Sequence, residues 1–79
     1  MTVQDRIYLG EHAAAMLADP AFKRALEMYR AELFQEWLKP DTAPDVREKL
    51  WIECQALEGV TSRLGRLKQD AAVAKKSRT

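Results

Sequence analysis

Chemistry in a small protein needs reactive side chains that can meet. His12 is the only histidine of this chain and Cys54 its only cysteine. Glu11 adjoins His12, but successive residues on a helix point away from each other, so the two can neither share a metal nor act as an acid–base dyad. A single cysteine offers no zinc motif, no redox pair and no disulfide within the chain. Glu53 and Glu58, close to Cys54 in sequence, carry the wrong charge to activate a thiolate. Both His12 and Cys54 read as structural, the first facing solvent and the second a small core residue.

Carboxylates are more numerous: Glu27, Glu32, Glu36, Glu48, Glu53 and Glu58. Paired carboxylates on facing helices can exchange protons or hold two metal ions, but the di-metal pattern asks for Glu-x-x-His. None of these glutamates has a histidine three residues on. Gly10, Gly59 and Gly65 are too scattered for a phosphate-binding loop. The sequence therefore points to no catalytic residue, no cofactor, no metal and no enzyme.

One electrostatic feature remains. Residues 1–59 carry 7 Lys and Arg against 11 Asp and Glu, whereas residues 60–79 carry 6 against Asp70 alone. Arg63, Arg66, Lys68, Lys75, Lys76 and Arg78 form this basic end. They can contact phosphates, with a steep salt dependence, or an acidic protein surface. They can also simply favour a helix C-terminus and raise solubility. No pair of helices joined by a tight glycine turn is visible, so helix-turn-helix readout of DNA is not indicated.

The elements that position these residues follow from the breaks. With 79 residues, 47% hydrophobic and 32% charged, the chain is one domain at most. Strong breaks stand at Asp19-Pro20 and at Lys39-Pro40-Asp41-Thr42-Ala43-Pro44. Proline is excluded from helix interiors but suits the first helical position. Asp19 can cap a helix that begins at Pro20, Thr42 can cap one containing Pro44 with Asp45 three residues on, and Thr2 with Asp5 gives a weaker version of the same signal. Three helices are predicted, at about 3–18, 20–38 and 43–72. No alternating β-branched pattern suggests a strand.

The second helix aligns Phe22, Leu26, Tyr29, Leu33 and Trp37 on one face. In the third, Leu50, Leu57, Leu64 and Ala71 repeat every heptad, with Val46, Val60 and Leu67 expected between them. Glu53 interrupts that interleaved row, and Cys54 or Ile52 compensates beside it. The first helix is weaker: Val3, Ile7, Ala14 and Leu17 share a face, but Gly10 costs about 1 kcal/mol in a helix interior. The fold expected is all-α, an antiparallel hairpin of 20–38 with 43–72 plus an extra N-terminal helix. Residues 1–72 form the domain and 73–79 a fraying basic tail.

The third helix outruns the second, so Leu64, Leu67 and Ala71 need cover from the first helix or from a second copy. Large residues off the stripe (Tyr8, Met16, Met28, Phe34, Trp51, Ile52) argue for a second buried face. A helical bundle completed by oligomerisation is expected, with Phe34, Trp51, Leu57, Leu64 and Leu67 at the interface.

The stretch from Asp19 to Leu67 resembles small helical-hairpin proteins encoded by tailed bacteriophages. The resemblance rests on Asp19-Pro20 with Phe22, Lys23 and Ala25, on Trp37 near the end of that helix, on the Pro/Asp/Thr loop, and on Val46, Arg47, Glu48, Leu50, Trp51, Gln55, Ala56 and Leu57. It covers about 50 of the 79 residues and implies a phage or prophage origin but no activity. Without a signal peptide or an apolar run of roughly 18 residues, the expected place is the cytoplasm of a host cell, in a virion-associated role or otherwise. The expected function is assembly or adaptor work through protein–protein contacts, as a virion component or an inhibitor of a host protein. A larger phage or host protein and a second copy are the expected partners, and no membrane is involved. The alternative is a small nucleic-acid-associated protein using the basic end.

Overall fold

The computed structural model describes residues 1–78 and is all-α. Its three helices are α1 (Val3–Ala18), α2 (Pro20–Leu38) and α3 (Pro44–Arg78). The first two begin as their sequences dictate. Thr2 and Asp5 form a reciprocal capping box. The Asp19 side chain accepts a hydrogen bond from the Phe22 amide at 2.9 Å, with Pro20 opening the helix behind it. A single non-helical residue, Asp19, separates α1 from α2.

The entry to α3 differs from expectation. Thr42 does not cap it: its hydroxyl donates backwards to the Glu36 carbonyl at 2.9 Å and closes the end of α2. The reason is Pro44, which holds the residue before it out of the helical region, so that the helix cannot start earlier. The Ala43 carbonyl then accepts from the Val46 and Arg47 amides. The far end of α3 also differs, because the helix runs past residue 72 to Arg78. Ala74 is fully buried and Lys75 pairs with Glu11 of α1 at 3.0 Å, so this stretch is held by tertiary contacts that its own composition does not reveal.

α1 has 16 residues, α2 19 and α3 35, so the first two together match the third in length. Both contact it. Gly10 packs on Ala71, Arg6 meets Asp70 and Glu11 meets Lys75, while Trp37 lies by Arg47 and Tyr29 by Glu53. The molecule is a slab of 58 × 24 × 14 Å with a radius of gyration of 17.0 Å. A compact chain of this length would have a radius of about 11.6 Å.

The two halves of the slab pack differently. Between α1 and α3 the contact residues are small. Apart from Ile7, the buried residues here are Gly10, Ala13, Ala71 and Ala74, and a methyl group added at Gly10 would strike the Ala71 side chain and the Leu67 carbonyl oxygen. Gly10, expected only to weaken α1, is the point of closest helix approach. Arg6 clamps the same seam with a two-pronged bond to Asp70, at 2.9 and 2.7 Å. That hydrogen bond, helped by the guanidinium charge, lowers the Asp70 pKa from its ordinary 3.8 and raises that of Arg6.

Between α2 and α3 the contact residues are large: Leu26, Leu33, Leu50 and Leu57 are half-buried, and no residue of α2 is fully buried. Two long polar contacts bridge this half, Arg30 to Glu58 at 2.9 Å and the Tyr29 hydroxyl to Glu53 at 3.3 Å. Desolvation first, then the Glu53 charge, raises the Tyr29 pKa.

Leu50, Leu57, Leu64 and Ala71 do face inwards. The residues between them are not those expected. Cys54 and Thr61 are half-buried there, whereas Val46, Val60 and Leu67 are exposed on the flank. An apolar row three residues from a heptad line competes with one four residues away. Here the side facing α1 and α2 took Cys54 and Thr61, with the Thr61 hydroxyl satisfied by the Leu57 carbonyl at 3.0 Å.

Candidate interaction grooves

The residues expected to cover a second face are uncovered in the chain by itself. Tyr8, Met16, Met28, Phe34, Trp51 and Ile52 are all exposed, and among the described residues Ile7 is the only large apolar side chain that is buried. Of these, Met16, Phe34 and Trp51 line two open apolar grooves, whereas Tyr8, Met28 and Ile52 line neither.

The loop-end groove lies between α2 and α3, encloses about 540 Å³ and is lined by Leu33, Phe34, Trp37, Leu50, Trp51 and Cys54, with Arg30 at its edge. Helical spacing builds it. Phe34 is one position beyond the inward Leu33, and Trp51 one beyond the inward Leu50, so the two rings stand as facing walls above the seam. Phe34 is 59% and Trp51 56% exposed. The Arg47 guanidinium sits 5.9 Å from the Trp37 ring centroid and donates to the Lys39 carbonyl at 3.3 Å. Its Nε is buried and has no hydrogen-bond partner.

The terminal-end groove lies between α1 and α3, encloses about 560 Å³ and is lined by Leu9, Met16, Phe22, Leu64 and Leu67 among others. His12 is at its edge, exposed as expected, with its ring tilted 50° against that of Tyr8 and the centroids 4.4 Å apart. Arg63 and Arg66 stand beside Leu67. At about 100° per residue, Trp51 and Leu67 fall on opposite flanks of the inward heptad line, so the grooves open on opposite sides of the slab.

Of the interface residues read from sequence, Phe34 and Trp51 wall the first groove and Leu64 and Leu67 the second, while Leu57 lies half-buried on the seam. Leu9, Phe22 and Trp37 were not anticipated as groove residues. Trp37 was read as seam, and Leu9 lies off the stripe of α1.

The basic residues do not converge on one patch. Arg63 donates to the Gly59 carbonyl at 3.0 Å, Lys75 pairs with Glu11, and Lys68 lines a shallow depression with Lys75 and Glu11. Lys76 is exposed, and the side chain of Arg78 lies outside the described residues, as does Thr79. Cys54 is half-buried and unpaired by any disulfide. Among the described residues no three His, Cys, Asp or Glu side chains gather in a way that would hold a metal ion, and no helix is long and apolar enough to cross a membrane. No protein-family model matches the chain, nor does any curated protein or solved structure.

Proposed function

We propose that this protein is a non-enzymatic, phage-type helical assembly or adaptor protein that acts through apolar helix faces. In this reading α2 and α3 form an antiparallel hairpin, extended by α1 and completed as a bundle by a second copy or a larger phage or host protein. The supporting observation is the exposure of Phe34, Trp37, Trp51, Met16 and Leu67 in two grooves of a chain in which, among the described residues, Ile7 is the only large apolar side chain that is buried. Exposed apolar surface on this scale marks interaction sites. The resemblance of residues 19–67 to phage hairpin proteins implies a phage or prophage origin and no activity; within the adaptor class, a virion-assembly component and an inhibitor of a host protein both stay open, in the host cytoplasm or on the virion.

The alternative is nucleic-acid association through Arg63, Arg66, Lys68, Lys75, Lys76 and Arg78. The pairing of Lys75 with Glu11 and of Arg63 with its own helix weighs against it. Two measurements separate the readings. Tagged protein captures its partner from infected or host cells, and the doubly substituted Phe34→Ala/Trp51→Ala form loses that capture. Arg63→Gln/Arg66→Gln with residues 75–79 removed keeps it. Binding to nonspecific duplex DNA that weakens steeply with salt and disappears in the charge variant would replace this reading with the alternative.

A further inference from the structure

The two grooves are alike in the charge that flanks them. Arg30 lines the loop-end groove, and the Arg47 guanidinium sits over Trp37, which lines it too. Arg63 and Arg66 stand beside Leu67 at the terminal-end groove. Two copies that brought their grooves together, in any pairing, would set arginine against arginine. The occupant that suits the loop-end groove is therefore a different molecule.

The two arginines of that groove are not equivalent. Arg30 is paired with Glu58 at 2.9 Å. Arg47 takes part in no ion pair among the described residues. Its acceptor is neutral, the Lys39 carbonyl at 3.3 Å, and its Nε is buried without a partner. Arg47 is half-buried, and a charge withdrawn from water in this way calls for an anion. The side chains around it are Trp37, Trp51 and Phe34. Tryptophan and arginine are the residues that carry most of the binding energy at protein interfaces. A groove between two helices, walled by aromatic rings, suits a third helix laid in with its apolar face down.

We propose that the loop-end groove takes an amphipathic helix of another protein, whose apolar stripe lies between the Phe34 and Trp51 walls and whose flank brings a carboxylate to Arg47. The proposal rests on the adaptor reading and narrows it, since it chooses an acidic helix over a second copy. That carboxylate supplies the anion the chain itself does not, and it selects this partner over basic or neutral helices of equal hydrophobicity. It also gives the docked helix a direction. Arg30, already paired, stands seven positions, about 10 Å, before Trp37 on α2. The charge that discriminates is thus at one end of the groove, and the acidic turn of the partner lies towards the loop of residues 39–43.

Trp37 and Trp51 are the only tryptophans of the chain, and both line this groove, so tryptophan emission reads its occupation directly. The probes are three synthetic helical peptides without tryptophan. They share one leucine stripe and carry glutamate, glutamine or lysine beside it in one end turn. The glutamate peptide shifts the emission to the blue and saturates. The glutamine peptide binds about tenfold more weakly, and the lysine peptide more weakly still. Arg47→Gln brings the glutamate peptide down to the affinity of the glutamine peptide and leaves the latter unchanged. If that variant loses helicity by circular dichroism, Arg47→Met, which keeps an apolar stem over Trp37, takes its place. Equal affinities for the three peptides, a preference that survives the loss of Arg47, or no binding of the glutamate peptide overturns the proposal. So does a blue shift that grows with the concentration of the protein alone, together with a dimer in sedimentation that Trp51→Glu dissolves, because a second copy then fills the groove. Any of these results, with capture from cells still lost in Phe34→Ala/Trp51→Ala, would overturn the acidic helix alone and leave the adaptor reading standing.

Discussion

The terminal end and the loop end of this slab solve the same problem, joining a helix to α3, with opposite materials. At the terminal end glycine and alanine let two backbones approach until Gly10 has no room for a methyl group, and Arg6 and Asp70 lock the register. At the loop end leucine, tyrosine and tryptophan hold the helices apart, and the side chains that could close the gap stand open to solvent. Small residues make a seam that is finished within one chain, whereas large ones make a seam whose outer half is left for another molecule. Close approach gains dispersion contacts over the whole face. A seam of large, half-covered side chains gains less in the monomer and more when covered.

Gly10→Leu should break the contrast most severely. The new side chain has nowhere to go but into Ala71 and the Leu67 carbonyl. Overpacking of this kind costs about 2–3 kcal/mol, a shift on the order of 15 °C in Tm for a chain of this size. Thermal unfolding followed at 222 nm would show it, and an unchanged Tm would mean that α1 does not dock as described. Asp19→Ala comes next. Loss of the cap on α2 should cost about 1 kcal/mol, read in the same experiment, and it tests whether both ends depend on the one-residue joint between them.

Gly65 is the control for Gly10. Nothing lies within 4 Å of a methyl group placed there, so Gly65→Ala should stabilise the monomer by up to about 1 kcal/mol through helix propensity. One glycine is required and the other is not, and destabilisation by both would erase that distinction. Trp51→Ala should move monomer stability by no more than about 0.5 kcal/mol, because the ring is largely outside the fold. A large loss would place Trp51 in the core and make the loop end resemble the terminal end.

The smallest effect is that of pH on the Arg6–Asp70 clamp. The Asp70 pKa is lowered in the folded protein, so the clamp's contribution is complete above the unfolded value of 3.8 and fades as pH falls through the lower folded value. Comparing the acid limb of the stability curve with that of Asp70→Asn measures it. Identical limbs would mean that the clamp adds nothing. The pair is partly solvated, and salt should weaken it.

The start of each of the first two helices was legible because capping is local: Thr2, Asp5, Asp19 and Pro20 act within three residues of themselves. The entry to α3 misled for the same reason in reverse, since Thr42 serves the helix behind it. Residues 73–78 were illegible as ordered helix, because what this stretch packs on is far away in sequence: Glu11 pairs with Lys75, and Gly10 meets Ala71 just before it. The role of Gly10 was hidden likewise, although the alanines at 13–15 and at 71, 72 and 74 were a signal that two helices could meet closely. Of the grooves, Phe34 and Trp51 declared themselves as large residues off an apolar stripe, as did Met16. Leu9 did not, because the weak periodicity of α1 gave no stripe to measure it against.

The Arg6–Asp70 bond joins residues 64 apart in the chain, and that distance bears on the order of folding. Tyr29 and Glu53 are 24 apart, so closing the terminal contact directly costs about 0.9 kcal/mol more in chain entropy than closing the loop-end one. Once α2 and α3 have met, most of that closure is already made, and α1 has only to swing about Asp19 onto a helix that is waiting. The weaker seam is therefore the one to form first, as a zipper that begins at Pro40–Pro44 and finishes at Arg6 and Asp70. Until the last step, the alanine face of α3 is as bare as the grooves remain in the folded chain.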